Sequence, residues 1–273
     1  MAAKDPINSR KIVLFIRAAT WLVLCLAALA MPAQDARFAH SVIRFGGLER
    51  ADTTAKIIYL VLTGGDYNDG GPFIKQVLKR KKVPAHFFFT GDFYRSDENR
   101  KLIKGLKRQG HYLGPHSDKH LLYASWENRD SLLVGKQAFT ADLLNNYQAM
   151  LPYGITRAQA PIFMPPYEWY NQQISDWAAE MGLLLINFTP GTRSNADYTT
   201  PDMGKRYVSS AQVFESILQY ERKSSCGLNG FILLVHIGTH PDRTDKFYRR
   251  LPELIDALRE RGYRFGRLLQ LVK

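Results

Sequence analysis

After residue 55 the chain alternates short apolar runs with amphipathic stretches, and this alternation limits the fold more than any other feature. Ile57 to Leu62 reads as a buried strand. Pro72 to Lys82 reads as a helix, with proline in its first turn and cations at its end. Strands follow at Ala85 to Phe89, Tyr112-Leu113, Ile162 to Met164, Leu183 to Asn187 and Phe231 to Val235. Helices are expected over Asn99 to Arg108, Ser131 to Met150, Asn171 to Met181, Ser210 to Arg222 and Leu251 to Arg261, and Tyr263 to Leu269 closes the chain. Strands alternating with helices imply an α/β protein with a parallel sheet. About seven strands suit either an open doubly wound sheet or a closed barrel, and periodicity does not separate the two.

The unusual residues fall in the loops after strands, where catalytic groups of α/β proteins collect. Thr63 to Gly71 follows the first strand, and His116-Ser117-Asp118-Lys119-His120 follows the third. Pro165-Pro166-Tyr167-Glu168-Trp169-Tyr170 follows Met164, and His236 follows Leu233-Leu234-Val235. Histidines four residues apart can close on one metal ion from one side of a turn, although two surface histidines at chance spacing would read the same. In a parallel barrel these loops share one face. Two histidines and a carboxylate then make a three-ligand site with open positions, the arrangement of a catalytic metal. A helical metalloprotease is excluded, because Ser117 stands where a His-Glu-x-x-His motif needs its glutamate.

The first 33 residues differ from the rest. Lys4, Arg10, Lys11 and Arg17 precede the apolar run Ala18 to Ala30, and small residues continue to Ala33. Residues 1–33 therefore read as a signal peptide cleaved after Ala30 or Ala33, or as an uncleaved N-terminal anchor. Residues 34–55 read as an N-terminal extension, and residues 56–273 as a single domain. The leader predicts an exported protein: periplasmic, in the cell envelope or extracellular. Only Cys25 and Cys226 occur, and Cys25 lies in the leader, so no internal disulfide is expected and the site is built from histidines and carboxylates. Net charge is +12, or about +9 without the leader's +3, which suits contact with anionic polymers or membrane surfaces. Lys79-Arg80-Lys81-Lys82 lies at a helix end that favours cations, so no nucleic-acid partner is inferred.

The ordered set of the Thr63 loop, Phe87-Phe88-Phe89-Thr90-Gly91, His116-Ser117-x-x-His120, Pro165-Pro166-Tyr167 and Leu234-Val235-His236 resembles the polysaccharide deacetylase family, or NodB-homology domain. The resemblance runs from about Lys56 to Leu271. It implies a distorted (β/α) barrel and metal-dependent removal of N- or O-acetyl groups from an extracellular or cell-envelope polysaccharide. By resemblance Asp66, His116 and His120 are the ligands of a divalent metal, often zinc, with cobalt or nickel as alternatives. His236 is the general acid, the Tyr167 N–H serves the oxyanion, and Asp197 orients His236. Two departures stand out. Gly65 occupies the place of the family's base aspartate, and Met164 that of the arginine supporting it. An arginine without its carboxylate would be left buried and unpaired, so the double loss is self-consistent. A subgroup reading Thr-Gly-x-acidic-aromatic, with a later Pro-Pro-Tyr-Glu-Trp, resembles this chain more closely.

Asp69 and Glu168 are the candidate replacement bases. Asp69 could instead cap the helix near Pro72. Tyr67, Trp169, Tyr170 and Tyr198 are candidates for stacking on sugar rings, with a core role as the alternative. His240 reads as a rim residue, and His40, His86 and His111 as structural or surface residues. The alternative function is a glycan-binding protein on the same fold, with metal retained and hydrolysis impaired. Membrane contact is expected only through an uncleaved leader. Oligomeric state is not encoded in these patterns.

Overall fold

The computed structural model describes residues 38–272, so the leader expected over residues 1–33 lies outside the described residues. The strands are β1 (Val42–Arg44), β2 (Gly47–Arg50), β3 (Ile57–Gly64), β4 (His86–Phe89), β5 (Tyr112–Pro115), β6 (Ile162–Phe163), β7 (Leu184–Leu185), β8 (Phe231–His236) and β9 (Arg264–Phe265). The helices are α1 (Gly71–Lys81), α2 (Gly91–Arg95), α3 (Arg100–Arg108), α4 (Lys136–Met150), α5 (Gln172–Glu180), α6 (Ser210–Lys223) and α7 (Leu251–Glu260). Among the described residues no helix is long and apolar enough to cross a membrane.

β3 is the central strand, buried along nearly its whole length and paired in parallel with β4, β8 and β9. Its continuous apolar run fits a strand covered on both faces. β5 extends the sheet beyond β4, and β6 pairs with β7. Two weaker links curl these strands into a barrel. The Met164 N–H reaches Pro115 O at 3.4 Å, and the Asn187 N–H reaches Leu48 O at 2.8 Å beside a Leu48–Ile186 bridge. The order β3-β4-β5-β6-β7-β2-β8 thus returns to β3, as the distorted barrel requires. β2 departs from the expected parallel set by pairing antiparallel with β8. Residues 42–50, read as part of an extension, form the β1–β2 hairpin and add buried Leu48 to the core.

The helices follow their sequence signals closely. Pro72 lies in the first turn of α1, three cations fill its last turn, and Lys82 ends it at φ 51°. Ser209 and Gln212 form a reciprocal capping box at the start of α6. α4 starts at Lys136 rather than at Ser131. The preceding backbone is bonded elsewhere: Leu133 N–H donates to Tyr123 O at 2.9 Å, and Ala124 bridges Leu132.

Candidate active site

The carboxyl ends of the parallel strands open onto a cavity of about 720 Å³ lined by Asp66, His116, His120, Glu168 and His236, among others. The loop carrying His116 and His120 is held from behind by one face of α4. Asn146 Oδ1 accepts the His116 N–H at 2.8 Å. Asp142, one turn earlier, accepts the Asp118 and Lys119 N–H groups at 3.2 Å each and the Tyr123 hydroxyl at 2.6 Å. Both residues are buried and fell outside the sequence reading. The signal that could have found them is two polar residues on the apolar face of a helix.

Backbone strain concentrates here as well. Ser117 (φ 70°), His120 (φ 54°), Tyr167 (φ 58°) and Glu168 (φ 53°) are left-handed, leaving only Phe45 and Lys82 as other such non-glycine residues among the described ones. Left-handed backbone is costly for these residue types and persists where the surroundings impose it. Asn187 Nδ2 donates to Glu168 O at 3.0 Å and anchors the second of these turns.

His116 and His120 lie with ring centroids 5.1 Å apart. His116 Nδ1 is 2.8 Å from Met164 O, so a proton on Nδ1 leaves the Nε2 lone pair free. Burial, then the neighbouring His120, hold the His116 pKa well below the usual histidine range, and burial chiefly lowers that of His120. A neutral imidazole with a fixed tautomer, as at His116, is what a divalent metal requires, and Asp66 supplies a carboxylate to the same cavity. The donor types therefore fit a metal, although among the described residues no three His, Cys, Asp or Glu side chains stand as a closed ligand cluster. Met164, in place of the arginine, is wholly buried and orients His116 through its carbonyl.

His236, which also lines the cavity, pairs with buried Asp197. His236 Nδ1 lies 2.6 Å from Asp197 Oδ1, and the His236 N–H donates to Asp197 Oδ2 at 2.9 Å. Burial pulls the His236 pKa down, but the Asp197 charge and hydrogen bond, with Glu168 adding, leave it raised. Glu168 is half-buried in the same cavity, and burial pushes its pKa up to about 7.

Several expected residues lie elsewhere. Asp69 neither lines the cavity nor caps α1, whose N-cap is Gly70 with no side-chain bond. Its carboxylate accepts the Thr239 N–H at 2.8 Å and the Tyr248 hydroxyl at 3.0 Å, and pairs with Lys246 at 3.1 Å. With both oxygens committed, it ties two loops together. Tyr170 is fully buried and donates to Arg44 O at 2.8 Å, so it anchors β1 rather than a sugar. Trp169 does not line the cavity: it donates to Ser125 O at 3.1 Å under the Arg129 guanidinium and packs against the cavity-lining Trp126, 5.1 Å between ring centroids.

Tyr67 and Tyr198 do reach the rim, 37% and 48% exposed, beside His240 and His236 respectively. Tyr167 covers His120 at 4.3 Å between ring centroids. Trp126, absent from the expected set, is 54% exposed and stands edge-on to Tyr167 at 5.7 Å. A tryptophan six residues beyond His120 was the available signal. Gly65 has an ordinary backbone, and a Cβ there would meet only Thr90 at 3.5 Å.

A curled α/β barrel with two histidines, a carboxylate, a His–Asp pair and an aromatic rim at its carboxyl end has the layout of a carbohydrate-modifying hydrolase. The chain belongs to the polysaccharide deacetylase family, whose profile it matches over residues 50–186, half of its length. It is 25% identical over 222 residues to a chitooligosaccharide deacetylase of Sinorhizobium fredii, covering 78% of this chain and 91% of that protein. It is 25% identical, over 80% of this chain and 89% of that one, to a peptidoglycan-N-acetylglucosamine deacetylase of Bacillus cereus. Among solved structures, Bacillus subtilis PdaA, a family 4 carbohydrate esterase, superposes with a TM-score of 0.64 at 20% identity, covering 84% and 85% of the two chains. A Bacillus anthracis protein described as a family 4 pseudoenzyme superposes at 0.63 and 18% identity, covering 83% and 69%.

Proposed function

We propose that this protein is an exported, metal-dependent deacetylase of an acetylated cell-envelope or extracellular polysaccharide. The observation that carries this reading is the His236–Asp197 pair facing His116 and His120 across one aromatic-rimmed cavity. The chitooligosaccharide and peptidoglycan deacetylases among its relatives support the substrate class.

Asp66, His116 and His120 would hold the divalent metal, with zinc the first choice and cobalt or nickel the alternatives. When bound, the metal polarises the acetyl carbonyl and eases deprotonation of the attacking water. Glu168 accepts the proton of that water, because a carboxyl near pKa 7 is ionised in useful amount at neutral pH yet basic enough to act. The Tyr167 N–H would serve the oxyanion. His236, held by Asp197, gives its proton to the departing amine or alkoxide. Tyr67, Tyr198, Tyr167 and Trp126 offer faces and edges on which sugar rings can rest.

Gly65 favours a second reading, a glycan-binding protein whose hydrolysis is impaired. The pseudoenzyme among its structural neighbours, for which a mutant with restored activity is described, keeps that reading open. Acetate release from acetylated chitooligosaccharides and peptidoglycan, measured with zinc, cobalt or nickel, separates the two. Release abolished by both His116→Ala and His236→Ala supports the deacetylase. Glycan binding with stoichiometric metal and no acetate supports the binder.

A further inference from the structure

The barrel end remote from the cavity carries a different chemistry. β3, β4 and β5 are parallel and begin there, so the turns feeding the sheet, residues 82–85, 109–111 and 261–263, share that end. Hydrogen bonds between these turns knit them into one surface. Arg259 donates to Lys81 O at 2.7 Å, Arg267 to Gly110 O at 2.7 Å and Lys56 to Arg261 O at 3.0 Å. The acceptors are backbone carbonyls, so these bonds leave the positive charges uncompensated. Lys82, Arg259 and Arg264 surround an open hollow of about 410 Å³ that also includes Pro84 and Tyr263. The ion pairs at this end are Lys81 with Asp256 and a 3.6 Å contact of Arg261 with Glu221. Helix-dipole stabilisation accounts for the cations in the last turn of α1. The same effect covers Arg108 in the last turn of α3, but not Lys56, Arg264 and Arg267, which join from two other segments. Clustered cations repel one another, and such a surface gains most when it meets an anionic one.

Two observations point to a bilayer as that partner. First, the domain's chain enters at this end: His40 O accepts both the N–H and the hydroxyl of Thr53 at 3.0 Å, just ahead of β3. The apolar run ending at Ala30 stands ten residues before His40, a reach of at most about 35 Å. Second, Val42 and Ile43 are 39% and 43% exposed, and Val42 lies opposite Arg50. Arg50 pairs with Phe231, the first residue of β8, which places these apolar side chains toward the basic end. Cations beside exposed aliphatic groups suit an interface of anionic headgroups and acyl chains.

We propose that this basic end docks on an anionic phospholipid bilayer, leaving the cavity at the opposite end facing away from the membrane. The docking surface is independent of the chemistry proposed for the cavity.

The test compares the full chain with Lys82→Glu/Arg108→Glu/Arg264→Glu in co-sedimentation with phosphatidylcholine vesicles, with and without phosphatidylglycerol. Both proteins carry the leader, so its contribution appears equally in each. The wild type should prefer the anionic vesicles by about tenfold or more, and added salt should erode that preference. The variant should lose most of it while keeping the wild-type unfolding transition. A milder pair, Lys82→Gln/Arg264→Gln, should lose an intermediate share and stands in if the triple variant misfolds. Equal preference in wild type and variants would overturn the proposal. So would displacement from vesicles by inorganic phosphate beyond that by chloride of equal ionic strength, which marks a free-phosphate site. Tighter binding to soluble poly(glycerol phosphate) than to vesicles would reassign the surface to an anionic polymer.

Discussion

Asp197 holds His236 twice, taking the ring Nδ1 at 2.6 Å on one carboxylate oxygen and the backbone N–H at 2.9 Å on the other. The double contact fixes both the position and the tautomer of the imidazole, and Nε2 is left to face the cavity. The same charge raises the His236 pKa against the effect of burial.

Asp197→Asn should therefore remove both the charge and the tautomer control. Acetate release should fall by about 10²–10³-fold with the fold intact, as expected for disabling a general acid. The proposed general acid is His236 in its protonated form, and the Asp197 charge extends that form to higher pH. In any residual activity, the alkaline limb of the pH–rate profile should move to lower pH. An unmoved alkaline limb would separate His236 from that limb.

The proposed base, Glu168, would act only when ionised, and burial pushes its pKa up to about 7. Activity should rise with pH through that value, and Glu168→Gln should abolish this acid limb and cost about 10²–10⁴-fold in kcat. Asp69→Asn should behave differently. Its oxygens hold Thr239, Tyr248 and Lys246, so it should lower Tm by a few degrees and leave the acid limb in place. The two profiles measured side by side identify the base.

Gly65→Asp should fold. Its Cβ meets only Thr90 at ordinary contact distance, and its backbone is not left-handed. Gly91→Ala should not be tolerated, because its Cβ would collide with the Asp118 carboxylate. Thermal melts of the two variants check this directly, and a restored base at position 65 should raise acetate release.

His86 sets part of the acid stability. It is buried, with Nδ1 at 2.9 Å from Leu60 O and Nε2 accepting the Leu268 N–H at 2.9 Å. Burial depresses its pKa to about 3, so below the unfolded value of 6.5 the unfolded chain binds the extra proton. Stability then falls as pH drops from about 6.5 toward 3, by up to about 4 kcal/mol from this one group. Denaturant melts between neutral pH and pH 4 measure it, and His86→Gln should flatten the slope.

His116→Ala and His120→Ala should each remove stoichiometric metal without unfolding the barrel, by metal analysis of purified protein. Asn146→Ala, which frees the His116 N–H from behind, should weaken metal retention by about tenfold or more while leaving both imidazoles present.

The barrel's strands, its helix order and the four strand-end loops were legible in the sequence, because buried parallel strands are continuous apolar runs and helix caps are local chemistry. That His116, His120, Asp66 and His236 share one cavity could be expected, because motif order survives where overall identity is low. The β1–β2 hairpin was not legible. Its pairing with β8 is set by residues some 180 positions away, and no local signal marks an antiparallel strand joining a parallel ring. Tertiary structure alone also decided which aromatics reach the cavity rim and which face the core. Tyr170 and Tyr198 read alike in sequence, yet one is buried under β1 and the other stands beside His236. The same holds for Asp69 and Glu168. Composition supplies a carboxylate, but its partners and desolvation fix whether it ties loops or titrates near neutrality, and those come only from how distant segments pack.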